Sequence, residues 1–286
     1  MDFSRMEEVR AGWSGDRKYH AWDNGGQEYF LRLSPPEKWE KAQRAFALQK
    51  KAFQLGLPVS EPLELTQEDG QVRFVERWLS GQMAEDILPT LPQEEQYRLG
   101  REAGRVLRAL HGCPAPAEAE DWESRFNRKI ERKIQLYREC SFQYENGEAF
   151  IRYMEENRGL LRGRPQCMQH GDYHTGNMML CGGKLFVIDF DRPDAGDPWE
   201  EFNRIVWSAQ LSPSFARGTV DGYFGGEPPL EFWKLLALYI ASNTLSSLPW
   251  GGPFGEGQVA IMREQAAQVL DWYDGMQRVI PSWYIP

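Results

Sequence analysis

The residue pattern of the chain changes near residue 80, and this change limits the folds that it can adopt. Before that point, short aromatic and apolar runs alternate with turn sequences such as Asn24-Gly25-Gly26, which is typical of strands in hairpins. After Ser80-Gly81, apolar residues recur at helical spacing over most of the sequence. We therefore predict an α+β chain with a small, strand-rich part over residues 1–80 and a larger helical part over residues 81–286.

The strand-rich part contains a hairpin and one helix. Glu28–Leu33 is aromatic and apolar, and Lys18–Trp22 is its expected partner across the turn. Pro35-Pro36 opens a helix, because proline is tolerated in the first helical turn, and Gly56 ends that helix after Leu55. Two further strands are expected at 63–66 and 71–78.

The helical part is interrupted once. Helical spacing predicts helices over residues 92–110, 121–139 and 147–159, from about 198 onward, and over 257–278. Between them, residues 166–190 carry short strand-like runs and glycines. A polar segment that breaks a helical region in this way is a candidate for a functional loop.

Composition excludes several classes of protein. Hydrophobic residues make up 41% and charged residues 26% of the 286 residues, as in soluble globular proteins. The net charge of -9 opposes non-specific nucleic-acid binding. The four cysteines form no C-x-x-C pair, and the longest apolar stretch, Phe232–Ile240, contains Lys234 and is too short to cross a bilayer. We expect a cytoplasmic protein with no membrane partner.

The interrupting segment carries the residues that phosphoryl transfer from ATP needs. It reads His170-Gly-Asp-Tyr-His-Thr-Gly-Asn177 and continues to Leu185-Phe-Val-Ile-Asp-Phe-Asp191. Such a reaction needs a carboxylate beside the attacking hydroxyl and hard oxygen ligands for magnesium. Asp172 and Asn177 share a polar, glycine-bearing loop, and Asp189 follows an apolar strand.

A turn places these residues within reach of one another. Gly182-Gly183 lets the strand 185–188 return alongside residues 178–180. That hairpin brings Asp189 close to Asn177, so two oxygen ligands and a separate base converge. A lone aspartate is more often a turn former, and the pattern, not any single residue, carries the prediction.

The motif H-G-D-x-H-x-x-N, followed by an apolar strand and I-D-F, resembles the aminoglycoside-phosphotransferase and choline-kinase superfamily, whose members are relatives of protein kinases. The matching positions are His170, Gly171, Asp172, His174, Asn177 and Asp189. The resemblance implies a two-lobed protein-kinase-like fold, with an antiparallel-sheet lobe for the nucleotide and a helical lobe for catalysis and substrate. It implies Asp172 as the catalytic residue, with Asn177 and Asp189 binding magnesium.

The same resemblance implies transfer of the γ-phosphoryl group of ATP to a hydroxyl of a small molecule, either aminoglycoside-like or another amino alcohol. GTP as the donor stays open. Phe30 and Arg32 lie on one face of a strand, where they can meet adenine and phosphates, and Ser14 lies in a turn that can cover phosphates. The hinge between the lobes is expected to bind adenine through the backbone of Glu76, Arg77, Trp78 and Leu79.

Two departures from the family pattern leave an alternative open. Arg32 stands where the family usually has lysine, and the helix position that would carry its glutamate partner is near Ala45. Glu40, Gln43 and Gln49 are the available substitutes. The alternative is a catalytically silent, kinase-like nucleotide-binding protein. A more distant one is a zinc hydrolase that uses the two motif histidines.

The C-terminal helices suggest what the acceptor looks like. Six tryptophans and three aspartates fall there, and together they would suit a cationic acceptor; they are Trp199, Trp207, Trp233, Trp250, Trp272 and Trp283, with Asp194, Asp197 and Asp221. Two competing interpretations stay open. Most of these tryptophans can belong to the core, and Asp197, which precedes Pro198 and a helix, can serve as a cap.

Overall fold

The computed structural model describes residues 1–10 and 15–284, so Ser14 lies outside the described residues. Contacts divide the chain into two compact units. The first comprises Met1–Thr90 and His170–Asp194, and the second comprises Leu91–Gln169 and Ala195–Pro286. The strand-rich segment therefore belongs to the same unit as the loop residues 170–177 and the strand residues 185–191, which we call the first and the second motif. The functional division at residue 80 stays a prediction.

The strands along the chain are β1 (Arg5–Glu8), β2 (Arg17–Trp22), β3 (Glu28–Ser34), β4 (Pro62–Glu68), β5 (Gln71–Arg77), β6 (Gln82–Met83), β7 (Cys167–Gln169), β8 (Met178–Cys181), β9 (Lys184–Val187) and β10 (Asp194–Gly196). The α-helices are α1 (Trp39–Gln54), α2 (Ala84–Ile87), α3 (Gln93–Leu110), α4 (Trp122–Glu139), α5 (Glu148–Asn157), α6 (Ile205–Leu211), α7 (Pro213–Phe224), α8 (Leu230–Gly251) and α9 (Glu256–Trp272). The expected hairpin of β2 and β3 and the helix after Pro36 are confirmed.

The first unit is built on a five-stranded antiparallel sheet in the order β1-β2-β3-β5-β4. Its register sets Phe30 opposite Glu76 and Arg32 opposite Phe74. Side chains of directly paired residues share a face, so these four lie together. The opposite face is apolar and carries the buried cluster Ala21, Tyr29, Leu31 and Val75. One face of the sheet thus stabilises the unit and leaves the other for polar groups.

A smaller sheet carries the second motif of the first unit. Strands β6, β8 and β9 form it in that order, and β8 and β9 are antiparallel. Gly182 and Gly183 form the turn between them with φ values of 57° and 79°, a region that glycine enters without steric cost. The hairpin that the sequence predicts is confirmed.

In the second unit the core forms around α8, whose side chains are buried along most of its length. Helices α4, α5 and α9 pack against it. Helices α3 and α7 pack against each other at glycines spaced four apart. A Cβ on Gly104 would lie 2.0 Å from the carbonyl oxygen of Thr219, and one on Gly222 would lie 2.2 Å from that of Arg101. The two backbones meet directly, because no side chain separates them.

The last helix ends earlier than the sequence predicts. Helix α9 stops at Trp272 rather than near 278. Asp274, Gly275 and Met276 have φ values of 50°, 62° and 71°, which an α-helix does not allow. Within residues 1–10 and 15–284, every helix is too short or too polar to cross a bilayer.

Candidate active site

The loop between β7 and β8 is held by the buried His170. Its Nδ1 accepts a hydrogen bond from the Asp172 backbone N–H at 3.3 Å, and its Nε2 lies 3.0 Å from the carbonyl oxygen of Ile188. Because one ring nitrogen accepts, the other must donate, so the partners assign the proton to Nε2. His170 therefore links Ile188, which precedes Asp189, to Asp172 in the loop.

A second histidine orients the Asp172 carboxylate. His174 Nδ1 accepts from the Gly176 backbone N–H at 3.1 Å, and its Nε2 lies 3.5 Å from Asp172 Oδ1. On the other side, Arg192 Nη1 lies 3.7 Å from Asp172 Oδ2. The prediction that both histidines brace the loop is confirmed. Arg192 is a contact that sequence reasoning missed, although it directly follows the second motif.

Gly171 allows the loop to approach the segment after Asp191. Its φ is 85°, a left-handed conformation that favours glycine. A Cβ at this position would lie 1.7 Å from the carbonyl oxygen of Arg192, far inside van der Waals contact. Backbone conformation and close approach independently require glycine between His170 and Asp172.

The two predicted magnesium ligands lie on paired backbone segments. The Ile188 N–H donates to the Asn177 carbonyl oxygen at 3.0 Å, so Asp189 directly follows a residue bonded to Asn177. The Asn177 side-chain Nδ2 donates to the Asp172 carbonyl oxygen at 2.9 Å, which leaves Oδ1 as the acceptor. Asp189 has a φ of 61°, and its side chain is 45% exposed. An amide oxygen and an accessible carboxylate fit magnesium, whose remaining ligands are phosphates and water.

No zinc site is assembled by the residues that the structure describes. Among them, no three His, Cys, Asp or Glu side chains form a group that could hold a metal ion. The ring nitrogens of His170 and His174 are engaged with loop atoms as described above. This geometry gives no support to the hydrolase alternative.

Arg32 finds its acidic partners after β9 rather than on α1. Its Nη1 lies 3.0 Å from Asp191 Oδ1 and 3.8 Å from Asp189 Oδ1. Lys41 on α1 approaches the other oxygen of Asp191 at 2.8 Å. Asp191 is therefore held by two cations of the first unit. Nothing in the spacing of the helix distinguished Lys41 in advance.

The buried polar residue of α1 is Gln49, whereas Glu40 and Gln43 are exposed. The Gln49 side-chain amide donates to the Ser60 carbonyl oxygen at 3.0 Å and to the Glu76 carboxylate. Burial raises the pKa of Glu76 to about 7, although Gln49 and the nearby Arg32 oppose the rise. The Glu76 side chain thus belongs to the polar face of the sheet, a role that sequence reasoning did not assign.

Part of the backbone of the predicted hinge is already hydrogen-bonded within the protein. The Arg77 N–H donates to Glu61 O at 2.9 Å, and the Trp78 N–H donates to Glu28 O at 3.2 Å. For Leu79 no backbone partner exists among the parts of the chain that the structure describes. Trp78 also stacks on His20, and its ring centroid lies 6.5 Å from that of Phe30. Adenine binding by this stretch stays a prediction. Because the N–H groups of Arg77 and Trp78 are already used, Leu79 becomes the expected donor.

In the second unit, the tryptophans and aspartates have internal partners. Trp233, Trp272 and Trp283 are buried, whereas Trp199, Trp207 and Trp250 are at least partly exposed. The Arg164 guanidinium lies 3.8 Å from the ring centroid of Trp199. Asp197 is ion-paired with Arg164, and Asp221 accepts hydrogen bonds from Tyr97 and Tyr284. These groups maintain the unit, and the prediction of a cationic acceptor gains no support from them.

Solved structures of other proteins share the fold of this chain. A choline/ethanolamine kinase family protein from Mesorhizobium loti is 18% identical, with a TM-score of 0.70 over 96% of this chain and 91% of that chain. A thermostable mutant of aminoglycoside phosphotransferase APH(4)-Ia is 16% identical, with a TM-score of 0.68 over 94% of each chain. The protein-kinase-like α+β fold is thereby confirmed.

Sequence comparison then gives the family. Residues 5–233 match the model of the phosphotransferase enzyme family, and the chain belongs to that family. Acyl-CoA dehydrogenase family member 11 of Mus musculus is 22% identical over 235 residues. That stretch is 75% of this chain but only 30% of the mouse protein. The chain therefore spans less than a third of this curated relative's length.

Proposed function

We propose that the protein transfers the γ-phosphoryl group of ATP to a hydroxyl group of a small molecule, with magnesium as cofactor. One observation carries the proposal. The backbone bond from Ile188 to Asn177 and the His170 bridge to Ile188 fix Asp172, Asn177 and Asp189 in one network. A carboxylate base beside two oxygen ligands is the set that phosphoryl transfer requires.

In this proposal Asp172 orients the acceptor hydroxyl and takes its proton at a carboxylate oxygen as the phosphoryl group departs. His174 and Arg192, which flank the two carboxylate oxygens, hold the carboxylate in position. Asn177 and Asp189 would hold magnesium, which supplies positive charge to the phosphates when bound.

For the donor, Arg32 would exchange part of its contact with Asp191 for phosphate oxygens, and Phe30 would pack against the base. Two solved relatives support nucleotide use: one aminoglycoside phosphotransferase is ADP-bound, and another is in a complex with ADP and hygromycin B. A role for Ser14 stays a prediction, as does the choice between ATP and GTP. A cytoplasmic location also stays a prediction.

The experiment is a screen of hydroxyl compounds for coupled ADP release, run in parallel on the wild-type protein and on Asp172→Asn. We expect turnover with at least one acceptor and a loss of about 10²–10⁴ in rate for the variant, with ATP still bound. Asp69→Asn, in the turn between β4 and β5, is a matched control because asparagine tolerates its φ of 50°. If Asp172→Asn kept more than about a tenth of the wild-type rate, Asp172 would not be the base.

The same preparation tests the silent alternative. Asp189→Ala should abolish magnesium-dependent nucleotide binding, because a ligand is lost while Asn177 remains. Unchanged nucleotide affinity would contradict the role of Asp189. A wild-type protein that binds magnesium and ATP but releases no ADP with any acceptor would favour a nucleotide-binding protein without transferase activity.

A further inference from the structure

The carboxylate of Asp191 lies between two cations, with one cation on each oxygen. Arg32 Nη1 stands 3.0 Å from Asp191 Oδ1, and Lys41 Nζ donates to Asp191 Oδ2 at 2.8 Å. Arg32 belongs to β3, Lys41 belongs to α1 and Asp191 follows β9, all within the first unit. The side chains of Asp191 and Arg32 are only 15% and 10% exposed, whereas that of Lys41 is 38% exposed. A largely buried ion pair thus has a second cation at its solvent edge.

The Arg32 guanidinium is oriented by its surroundings. Its Cζ lies 5.0 Å from the centroid of the Phe74 ring, and its Nη1 lies 3.8 Å from Asp189 Oδ1. A guanidinium carries five N–H donors, so the short contact with Asp191 leaves donors for phosphate oxygens. The charge of Arg32 is nevertheless shared with Asp191 before any nucleotide binds. A phosphate group must therefore compete with this carboxylate for Arg32.

That competition would be costly if Arg32 were the sole counter-ion of Asp191. A largely buried carboxylate that loses its only cation is left uncompensated, which burial penalises strongly. Lys41 changes this balance, because it contacts the oxygen that Arg32 does not. When Arg32 turns toward phosphates, the ion pair between Lys41 and Asp191 remains. Before the nucleotide binds, either cation alone compensates Asp191, so Lys41 matters more to the bound state than to the free one.

We propose that Lys41 is a positioning residue for the nucleotide, which keeps Asp191 neutralised so that Arg32 can bind phosphate. This inference rests on the proposed use of ATP. Helix α1 then acts on the phosphate site through a lysine and the aspartate after β9, not through a glutamate paired with the strand cation. The lack of an acid at Ala45 fits this arrangement, since the acid that partners Arg32 is Asp191.

The first test measures nucleotide binding without catalysis, by calorimetric titration of the whole protein with ATP and magnesium. We expect Lys41→Met to weaken binding about tenfold, because Asp191 then holds Arg32 back from the phosphates. Lys41→Arg should stay within about threefold of wild type, since it restores a cation at the same position. Lys51→Met is the matched control, because Lys51 is exposed and lies about 15 Å further along α1. Equal affinity in wild type and Lys41→Met would overturn the proposal.

The second test asks whether Lys41 acts through Asp191 or contacts the phosphates itself. Asp191→Asn removes the charge that needs a counter-ion, so adding Lys41→Met to it should change ATP affinity less than about twofold. A tenfold loss from Lys41→Met in both backgrounds would overturn the positioning role and make Lys41 a direct phosphate contact. Adenosine lacks phosphates, and its affinity should be the same in wild type and Lys41→Met. A loss of adenosine binding would also contradict the proposal, because the base site would then be disturbed.

The third test separates this proposal from the proposed function. With an acceptor that supports ADP release, Lys41→Met should raise KM for ATP about tenfold and leave kcat within about threefold. ADP release with unchanged KM and unchanged ATP affinity in Lys41→Met would overturn the role of Lys41 and leave the transferase intact. A tenfold difference in ATP affinity without any ADP release would support the role of Lys41 and count against the transferase. A wild-type protein that binds neither ATP nor GTP would overturn both.

Discussion

Asp172 in the first unit and Asp197 in the second are both inward-facing aspartates, yet their contacts differ. Asp197 is completely buried, and it receives hydrogen bonds from Arg164 at 2.7 and 3.1 Å, Tyr239 at 2.7 Å and the Trp199 N–H at 2.9 Å. Beside Asp172, the His174 ring nitrogen and the Arg192 guanidinium stand 3.5 and 3.7 Å from the carboxylate oxygens. The Asp197 carboxylate is therefore saturated by short hydrogen bonds.

This difference separates a structural carboxylate from one that can react. A carboxylate that accepts several short hydrogen bonds holds its charge and cannot take a proton without breaking the surrounding network. A carboxylate that acts as a base must instead present an oxygen to a substrate hydroxyl, which is the role proposed for Asp172. The hydrogen-bond network around Asp197 and the role proposed for Asp172 therefore distinguish two residues of the same type. Substitution of Asp172 should therefore lower turnover and leave stability nearly unchanged, whereas substitution of Asp197 should lower stability.

The largest expected effect is on turnover at Asp172. Asp172→Asn preserves shape, so we expect the free energy of unfolding to stay within about 1 kcal/mol of wild type while kcat falls about 10²–10⁴-fold. Urea unfolding and ADP release on the same preparation give both quantities. A large loss of stability would place Asp172 with Asp197 and remove the distinction between them.

The next effect is on stability at Asp197. Asp197→Ala leaves the buried Arg164 without its main partner, which should lower the free energy of unfolding by about 3–5 kcal/mol. Asp121→Ala is the comparison, because Asp121 caps α4 at an exposed position through Ser124, and loss of an exposed cap should cost clearly less than loss of the buried ion pair. Equal losses of unfolding free energy in the two variants would show that the buried network around Asp197 stabilises the fold no more than an exposed helix cap does.

A smaller effect is expected at Glu76, a carboxyl group whose pKa is raised by burial. Its pKa in the folded protein, about 7, lies above the ordinary value of 4.5. The folded state therefore holds its proton more tightly, and wild type should lose stability as pH rises from about 4.5 to about 7. Glu76→Gln removes this loss, so above pH 7 the variant should be more stable by about 1–3 kcal/mol.

The expected gain from Glu76→Gln vanishes near pH 4.5, because the wild-type carboxyl is then protonated in the folded state. Thermal or urea unfolding from pH 5 to pH 9 measures the difference, with the exposed Glu37→Gln as control. A gain that does not change with pH would mean that Glu76 is already ionised in the folded protein.

The smallest effect is expected at Lys41. Its ion pair with Asp191 is partly exposed, and Arg32 still holds Asp191 when Lys41 is removed. Lys41→Met should therefore cost only about 0.2–1 kcal/mol. The loss should shrink in high salt, which screens exposed pairs. A cost above about 2 kcal/mol would show that Asp191 depends on both cations, as Asp197 depends on its whole network.

Local patterns predicted much of the fold and of the loop. The turn at Asn24-Gly25-Gly26 and the glycine pair between β8 and β9 are short-range signals, and the hairpins that they indicate are present. Such signals depend on backbone geometry within a few residues. The roles of the individual site residues stay predictions, because they concern a ligand.

What the sequence did not indicate depends on contacts between distant residues. Lys41 meets Asp191 across 150 positions, and Gln49 meets Glu76 across 27. The glycines of α3 and α7 likewise gave no sign in the sequence that these two helices pack together, because their close backbone contacts exist only in the folded protein. The helix that ends at Trp272 instead of near 278 shows the same limit, since apolar spacing continues past the point where the backbone turns.

Asp189 sits in a left-handed backbone conformation that a residue with a side chain enters at a cost of about 1–2 kcal/mol. Anyone who selects variants of this chain for heat resistance alone should recover glycine at position 189 among the gains, since glycine adopts that conformation freely. The same selection would discard a proposed ligand for magnesium. Heat resistance and the proposed magnesium site thus favour different residues at position 189.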